Sequence, residues 1–139
     1  MALSEELARI GPNATTRPFW EACLRRELRI QRCGSCGRFR HPPLPGCPHC
    51  GSAESEWPLV SGRGRIHSFT IVHHPALPFL AEAVPYNVVV VSLDDAPGAR
   101  MISNLLDAEP GELRIDLPVE VWWDEAGPDV VLPCFRRAR

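Results

Sequence analysis

Two Cys-x2-Cys pairs constrain the fold of this chain more than any other feature. Cys33 and Cys36 form the first pair, and Cys47 and Cys50 form the second. A glycine follows each pair and can adopt the positive φ that completes a tight turn around two thiolates. Four thiolates from two such knuckles predict a closed tetrahedral site for one structural Zn²⁺ per chain, without an open position for catalysis.

The alternatives to a metal are two disulfides or four reduced thiols. The repeated spacing and the two glycines favour the metal. His49 lies inside the second knuckle and could replace a thiolate, but the four cysteines already form a complete ligand set. The remaining cysteines, Cys23 and Cys134, fit a reducing cytosol. We therefore expect a cytoplasmic protein in which zinc holds a small ribbon together.

Length and hydropathy limit the organisation further. A chain of 139 residues suits one compact domain, or a small metal module joined to a second small domain. The longest apolar run, residues 88–91, is long enough for a strand but not for a membrane span. The first residues are acidic and lack the regions of a signal peptide. No membrane partner is expected.

Charge is unevenly placed along the chain. All fifteen basic residues are arginine, which excludes catalysis by a lysine Schiff base or a lysine base. Residues 17–65 contain nine arginines and four acids, whereas residues 66–133 contain two arginines and eleven acids. The arginine-rich half could meet phosphate or an acidic partner surface. The alternative is scattered, solvated charges in a protein with a high-GC codon bias.

Residues 1–27 are predicted to form a helical segment. Residues 3–10 can make a short helix that stops at a Gly-Pro pair. Thr15 or Thr16 can cap a second helix, which has Pro18 in its first turn, where proline is well tolerated.

The second helix carries an apolar stripe. Trp20, Leu24 and Leu28 recur every four residues, and Phe19 lies beside them. Such a stripe packs either on its own domain or on another protein, and core packing is the simpler interpretation for Trp20. Aromatic side chains on an arginine-rich helix are typical of interface centres. Phe19, Trp20 and Leu24 are therefore the candidate contacts with a protein partner.

The rest of the chain is patterned as β structure. In the predicted ribbon, residues 28–54, strands at 28–32 and 38–41 precede a proline-rich connection. Residues 55–139 contain five strand-like runs at the intervals of a small barrel. These runs are 65–72, 86–93, 100–105, 119–123 and 130–135, with a turn at 124–129 before the last. The prediction is a mainly β protein with an N-terminal helix, a zinc ribbon and a five-stranded OB-fold barrel.

The sequence contains no persuasive catalytic motif. It has no G-x-S-x-G, no H-E-x-x-H and no P-loop. Gly62 and Gly64 form only part of a dinucleotide fingerprint and lead into a strand, where they predict a bulge or a sharp bend. His73 and His74 are adjacent and would point to opposite faces of a strand. No residue is therefore predicted to be catalytic.

The order of these motifs resembles a known family. The aromatic helix leads into Cys-x2-Cys-Gly, a proline-rich stretch and Cys-Pro-x-Cys-Gly-Ser, and then come Ser61-Gly62-Arg63-Gly64-Arg65-Ile66, Pro85-Tyr86, Asn104 and Pro133-Cys134-Phe135. Residues 17–135 are similar to proteins with a rubredoxin-like zinc ribbon and an OB-fold that associate with acyl-CoA enzymes. The family was long catalogued only as a domain of unknown function. The sequence departs from its pattern at Asp116, where we expect glycine.

The resemblance implies a non-catalytic accessory subunit. Family members bind thiolase-like enzymes, namely thiolases, hydroxymethylglutaryl-CoA synthases and the thiolase-fold aldolases of steroid side-chain breakdown, and some are fused to hot-dog hydratase domains. It implies a heterotetramer of two copies around a partner dimer, and a contribution to a shared acyl-CoA path.

The resemblance also indicates where CoA would bind. Arg63 and Arg65, on the glycine-containing strand, become candidates for contact with CoA phosphate. Leu77 and Phe79, in a proline-punctuated loop, become candidates for contact with pantetheine or the acyl group. The alternative is a structural bulge with solvent-facing arginines.

Two other classes of function stay open. Zinc ribbons and OB-folds often bind nucleic acid, but the barrel segment is acidic and has a single tyrosine for stacking. An independent enzyme acting on a CoA thioester would need a nucleophile and base that the sequence does not place. An accessory subunit that binds no nucleic acid is the prediction.

Overall fold

The computed structural model describes residues 11–139 and contains one α-helix and two antiparallel sheets. The helix is α1 (Arg17–Leu24). The strands are β1 (Gln31–Cys33), β2 (Phe39–Arg40), β3 (Ser55–Glu56), β4 (Arg63–Val72), β5 (Tyr86–Leu93), β6 (Arg100–Ser103), β7 (Pro118–Gly127) and β8 (Val130–Arg137). The helix predicted for residues 3–10 lies outside the described residues. Among the described helices, none combines the length and apolar character that crossing a membrane requires.

Helix α1 starts at a turn organised by Asn13. The Asn13 Oδ1 atom accepts hydrogen bonds from the backbone N–H groups of Thr15 and Thr16, at 3.0 Å each. Thr16 precedes the helix, as predicted, but its hydroxyl accepts from the Asn13 N–H and caps nothing inside the helix. Pro18 sits in the first turn, as expected. The Asn13 side chain therefore organises the turn before the helix, and Thr16 does not cap the helix through its side chain as predicted.

Helix α1 ends one turn earlier than its apolar stripe predicts. Arg26 has a φ of 57°, and its N–H donates to the Cys23 carbonyl at 2.9 Å. The next N–H, of Glu27, donates to the Ala22 carbonyl at 3.0 Å, which completes a Schellman motif. Leu28 is therefore not part of the helix, and the stripe assigned to it is wrong at that position.

Three short strands form the ribbon sheet, in the order β2-β1-β3. Gln31 bonds the backbone of Leu44 twice, accepting from its N–H at 2.8 Å and donating to its carbonyl at 2.9 Å. Arg40 donates to the same carbonyl at 3.2 Å and to the Ser55 hydroxyl at 3.0 Å. Gln31 and Arg40 are both buried. These bonds fix the proline-rich connection, which cannot join a sheet itself, against the ribbon.

The second sheet closes into the five-stranded OB-fold that the sequence predicts. Its strand order is β6-β5-β4-β7-β8. The barrel is closed by a parallel β-bridge between Leu105, just after β6, and Phe135 of β8. The Phe135 N–H donates to the Asn104 carbonyl at 3.0 Å, and the Leu106 N–H donates to the Phe135 carbonyl at 2.7 Å. Phe135 is fully buried at this junction.

Gly62, just before β4, and Gly64, within it, serve close packing instead of a bulge. A Cβ on Gly64 would overlap the carbonyl oxygen of Ser92 on β5, and Gly62 has a φ of 82°. The bulge lies further along the strand, where pairing with β5 shifts between Ile66 and Ser68. The bulge is therefore not at the glycines, where β4 lies between β5 and β7, and the sharp bend that the glycines predict as the alternative stays a prediction.

The turns before and after β7 are both set by the local conformation of the backbone. Asp116, at the position where glycine was expected, has a φ of 67°, and its N–H donates to the Ile66 carbonyl at 2.8 Å. A left-handed residue is needed there, and aspartate tolerates that conformation better than most. After β7 the chain reverses over two residues, 128–129, and not over the six predicted, because β7 continues to Gly127.

Ribbon and barrel share one hydrophobic core. Leu28 and Ile30, from the segment leading into β1, are buried in the same cluster as Ile66 and Phe135 of the barrel. The Val60 N–H donates to the Leu28 carbonyl at 2.9 Å and ties the two parts together. Helix α1 packs on β8. The boundaries at 27/28 and 54/55 stay predictions.

Candidate metal centre and surface clefts

The four predicted cysteine ligands converge at one end of the ribbon. All of their Sγ atoms lie within 4.8 Å of one another. Cys33 Sγ is 3.5 Å from Cys50 Sγ, and Cys36 Sγ is 3.6 Å from Cys47 Sγ. A tetrahedron with metal–sulfur bonds of about 2.3 Å requires sulfurs about 3.8 Å apart. The residues present therefore fit a Zn²⁺ ion held by four thiolates.

Each knuckle has the same backbone construction. Gly37 and Gly51 both have a φ of 77°. Their N–H groups donate to the carbonyls of Cys33 and Cys47, at 3.0 and 2.9 Å. A residue without a Cβ adopts this left-handed conformation without steric cost. The two glycines that follow the knuckles are thus required by the turns that bring the sulfurs together.

Backbone N–H groups favour the thiolate form of the ligands. The N–H groups of Cys36 and Ser35 each lie 3.4 Å from Cys33 Sγ and lower the pKa of Cys33 to about 6. The N–H groups of Cys50 and His49 lower the pKa of Cys47 in the same way. A metal binds the thiolate and not the thiol, so the folded knuckles favour the metal-binding form of Cys33 and Cys47. The pKa of Cys50 is instead raised to about 11, because the Ser52 N–H lowers it less than the neighbouring cysteine side chains and burial raise it. His49 is exposed and is not among the clustered ligands.

The four residues predicted to contact CoA do not lie together. Arg63 is at the start of β4, with its Nη2 atom 3.8 Å from Glu120 Oε2. Arg65 donates from Nη1 to the Asp116 carbonyl at 3.1 Å. Leu77 and Phe79 follow the opposite end of β4 and are about half exposed. CoA contact stays a prediction for each pair, and one compact subsite made of all four residues is not formed.

A cavity of about 510 Å³ lies beside the loop that carries Phe79. Tyr86 and Asn104 line it together with Phe79, and so do the acidic residues Glu82 and Asp107. None of the described residues lining it is an arginine. An uncharged group suits this cavity better than a phosphate does, because both formal charges around it are negative.

The three residues predicted to contact a partner have different environments. Phe19 is 4% exposed and belongs to the core. Trp20 is half-buried and packs edge-on against Phe19, with ring centroids 4.9 Å apart. Leu24 is 44% exposed. The partner contact itself stays a prediction, with Trp20 and Leu24 the members that reach the surface.

One feature near α1 was not predicted from the sequence. The wall of the barrel has an opening between β6 and β8, and this opening forms a cleft of about 330 Å³. Ile102 stands at this cleft with 74% of its side chain exposed. The proline in Pro133-Cys134-Phe135 was the available signal, because proline cannot donate to a neighbouring strand.

A closed four-thiolate ribbon followed by an OB-fold defines the class of this protein. Two family models match it: "ChsH2, rubredoxin-like zinc ribbon domain" over residues 20–56 and "ChsH2, C-terminal OB-fold domain" over residues 57–124. A "DUF35 domain-containing scaffold protein" of Methanothermobacter thermautotrophicus is 32% identical over 108 residues, covering 77% of this chain and 79% of that protein. The chain belongs to this DUF35 family of zinc-ribbon and OB-fold proteins.

Other relatives carry names from CoA metabolism. A "Probable enoyl-CoA hydratase alpha subunit" of Thermomonospora curvata is 43% identical over 121 residues, covering 86% of this chain. The chain spans only 37% of that protein's length. The "Benzoylsuccinyl-CoA thiolase subunit BbsA" of Thauera aromatica is 32% identical over 97 residues, covering 68% of this chain and 61% of that subunit.

A solved structure has the same fold over nearly the whole chain. It is titled "Ltp2-ChsH2(DUF35) aldolase" and has 38% sequence identity and a TM-score of 0.83. The match covers 94% of this chain and 100% of the solved chain. The family and fold predicted from the sequence are thereby confirmed.

Proposed function

We propose that this protein is a non-catalytic subunit that docks on a thiolase-like acyl-CoA enzyme and holds it in a productive assembly. The observation that carries the proposal is the closed metal centre in a member of a scaffold family. Four thiolates leave no coordination position for a substrate, so the metal supplies rigidity and not Lewis acidity. The chemistry must then reside in the partner.

The remaining titratable groups support an accessory role. Among the described residues, the four cysteines are the one cluster of His, Cys, Asp or Glu able to hold a metal. Burial raises the pKa of Cys23 to about 12 and also raises that of Cys134. Both thiols are therefore protonated at neutral pH and are poor nucleophiles. Relatives named as hydratase or thiolase subunits fit a chain that works inside a larger enzyme.

We propose that the metal held by the four cysteines is one structural Zn²⁺ per chain. Zinc accepts tetrahedral sulfur coordination without redox chemistry, and the family's ribbon is described as a zinc ribbon. Thiolate ligands and two further free cysteines suit a reducing compartment, the cytoplasm.

The partner of the proposal is a thiolase, a hydroxymethylglutaryl-CoA synthase or a thiolase-fold aldolase, with two copies of this chain around a partner dimer. The Ltp2-ChsH2(DUF35) aldolase and the benzoylsuccinyl-CoA thiolase subunit support this choice by their names. We expect any contact with CoA to be made at two separate places on the barrel. Phe79 and its cavity suit the uncharged pantetheine or acyl part, and Arg63 and Arg65, at the opposite end of β4, stay the candidates for contact with phosphate.

Nucleic-acid binding is the weaker alternative. OB-folds bind nucleic acid on the face of their second and third strands, which here are β5 and β6. The outward positions of those strands include Val88, Val90 and Ile102, which are aliphatic. Single-stranded nucleic acid is held by aromatic stacking and basic tracking, and one exposed arginine, Arg100, beside these aliphatic side chains supplies little of that chemistry.

Co-purification tests the proposal. The tagged chain is co-expressed in turn with each thiolase-like protein encoded in the same genome, and the tag is pulled down. One of these proteins should be retained in stoichiometric amount through a wash in moderate salt. Turnover of an acyl-CoA by the isolated chain, or failure to retain any of these proteins, would contradict the proposal.

A further inference from the structure

The opening between β6 and β8 has a simple cause. In the parallel pairing that closes the barrel, the Phe135 N–H donates to the Asn104 carbonyl. Further along the same ladder, a bond would run from the nitrogen of residue 133 to the carbonyl of residue 102. Residue 133 is proline and has no N–H to donate. The Ser103 hydroxyl crosses the opening and donates to the Pro133 carbonyl at 2.7 Å.

The cleft in this opening, which we call the β6–β8 cleft, is lined by uncharged groups. Trp20 of α1, Pro43 of the ribbon connection, Ile102 of β6 and Leu132 of β8 supply its apolar walls. His41 also lines it, and burial lowers the pKa of His41 to about 4, so that its imidazole is neutral near pH 7. An occupant that carries charge would lose its hydration without finding a counter-charge.

The apolar surface extends beyond the cleft on both sides. On β5, Val90 lies directly across from Ile102 in the sheet. On α1, Trp20 also borders a second cleft, with Leu24 and Val130. The exposed side chain of Ile102 thus stands within an apolar strip that crosses from the sheet to the helix. Strips of this kind on a small protein mark contact with another macromolecule more than with an enclosed small ligand.

Two arginines flank the strip and have no carboxylate partner among the described residues. Arg100 is two residues before Ile102 on the same face of β6, and Arg17 borders the second cleft beside Trp20. Both are exposed. Within residues 11–139 neither guanidinium forms an ion pair. Arginine is enriched at interfaces because it pairs with carboxylates at an apolar rim.

We propose that the β6–β8 cleft receives an uncharged apolar side chain of the thiolase-like partner, with Ile102 at the centre of the contact. Arg17 and Arg100 then face acidic groups at the rim of the partner's surface. This inference rests on the proposed function and assigns the surface through which it is carried out. It places the contact centre on β6, whereas the sequence predicted the partner contacts on α1.

Matched variants test the surface. Ile102→Asp puts a charge at the centre of the strip, and Ile115→Asp changes an isoleucine that is 54% exposed in the turn before β7. Binding of each variant to the purified thiolase-like partner is measured by calorimetry. Ile102→Asp should weaken binding at least about 30-fold, the loss expected at an interface hot spot. Ile115→Asp should change the Kd less than about twofold. Both variants should keep the wild-type melting temperature, because both side chains are exposed.

The outcomes separate the two proposals. If wild type binds no thiolase-like protein, the proposed function fails and the surface inference fails with it. If wild type binds and Ile102→Asp binds equally well, only the surface inference is overturned. A concentration-dependent homodimer that Ile102→Asp dissociates would make a second copy the occupant and overturn it too. If Ile102→Asp destabilises the full chain but not a chain lacking residues 1–10, the occupant is the chain's own first segment, and the inference is again overturned.

Discussion

Gly64 is a position where the fold has no room for a side chain. Its ideal Cβ would overlap backbone of β5, which cannot move away as a flexible side chain could. We expect Gly64→Ala to lower the free energy of unfolding by about 2–4 kcal/mol, the range of strongly overpacked sites. Urea denaturation of the zinc-loaded protein measures the change.

Gly111→Ala is the matched control for this substitution. A Cβ at Gly111 would have nothing within 4 Å, and its φ is not positive. We expect a change below about 0.5 kcal/mol there, as for most surface substitutions. Equal effects of the two substitutions would mean that β4 and β5 are not as close as described.

His41 makes the stability of the protein depend on pH. Burial lowers its pKa from 6.5 to about 4. Between pH 6.5 and 4 the unfolded chain therefore binds a proton that the folded chain excludes, and stability falls as the pH falls through this window. The difference amounts to as much as about 3 kcal/mol.

His41→Phe removes this titration and keeps an aromatic ring beside Phe19, which lies 5.0 Å from the imidazole centroid. The variant should lose less stability than wild type between pH 7 and 4.5 when both are melted at equal zinc content. His74→Gln, at an exposed histidine in the loop after β4, should follow wild type. Parallel pH profiles for wild type and His41→Phe would contradict the account.

Single residues differ in how far the sequence reveals their roles. The four cysteines could be assigned because their spacing and glycines are sufficient to define a knuckle. The family pattern predicts glycine where this sequence has Asp116, and the positive φ of Asp116 explains why glycine was expected there. Arg26 ends α1 in the left-handed conformation, but nothing distinguishes it from the other arginines, so the helix end could not be predicted.

The ribbon is the element that we expect to depend on the metal for its stability. Its three strands are two or three residues long, too short to be stable without a cross-link. We expect Cys47→Ser to lower the zinc content and affinity sharply, and to abolish hydrogen-exchange protection of the knuckle amides. Those amides include Cys47 N–H, which donates to the Ser52 carbonyl at 2.9 Å.

Cys134→Ala serves as the control for the metal site, because Cys134 lies on β8 and is not among the four clustered sulfurs. It should keep one zinc per chain and an intact ribbon. Full zinc occupancy and affinity in Cys47→Ser would refute the ligand assignment.

At the scale of elements, strand positions were more predictable than their ends. The run predicted for residues 86–93 is β5 without any shift, because its apolar residues are bounded by clear loop signals. Strand β7 continues through charged residues to Gly127, which a sequence pattern assigns to a turn. Hairpin pairing with β8 overrides the local preference there.

The whole molecule joins a rigid metal ribbon to a barrel through one core and leaves an apolar strip uncovered by the residues described. The family and fold followed from motif order. The β6–β8 cleft did not, because it arises where three distant segments meet around Pro133. Tertiary closure of this kind is not encoded in the period of any single segment.

The mass of the assembly tests the central claim most directly. The chain and its thiolase-like partner are mixed and measured by size-exclusion chromatography with light scattering. We expect one species whose mass exceeds that of the partner dimer by two copies of this 15.5 kDa chain. Two separate species at micromolar concentration, one of them the free chain, would contradict it.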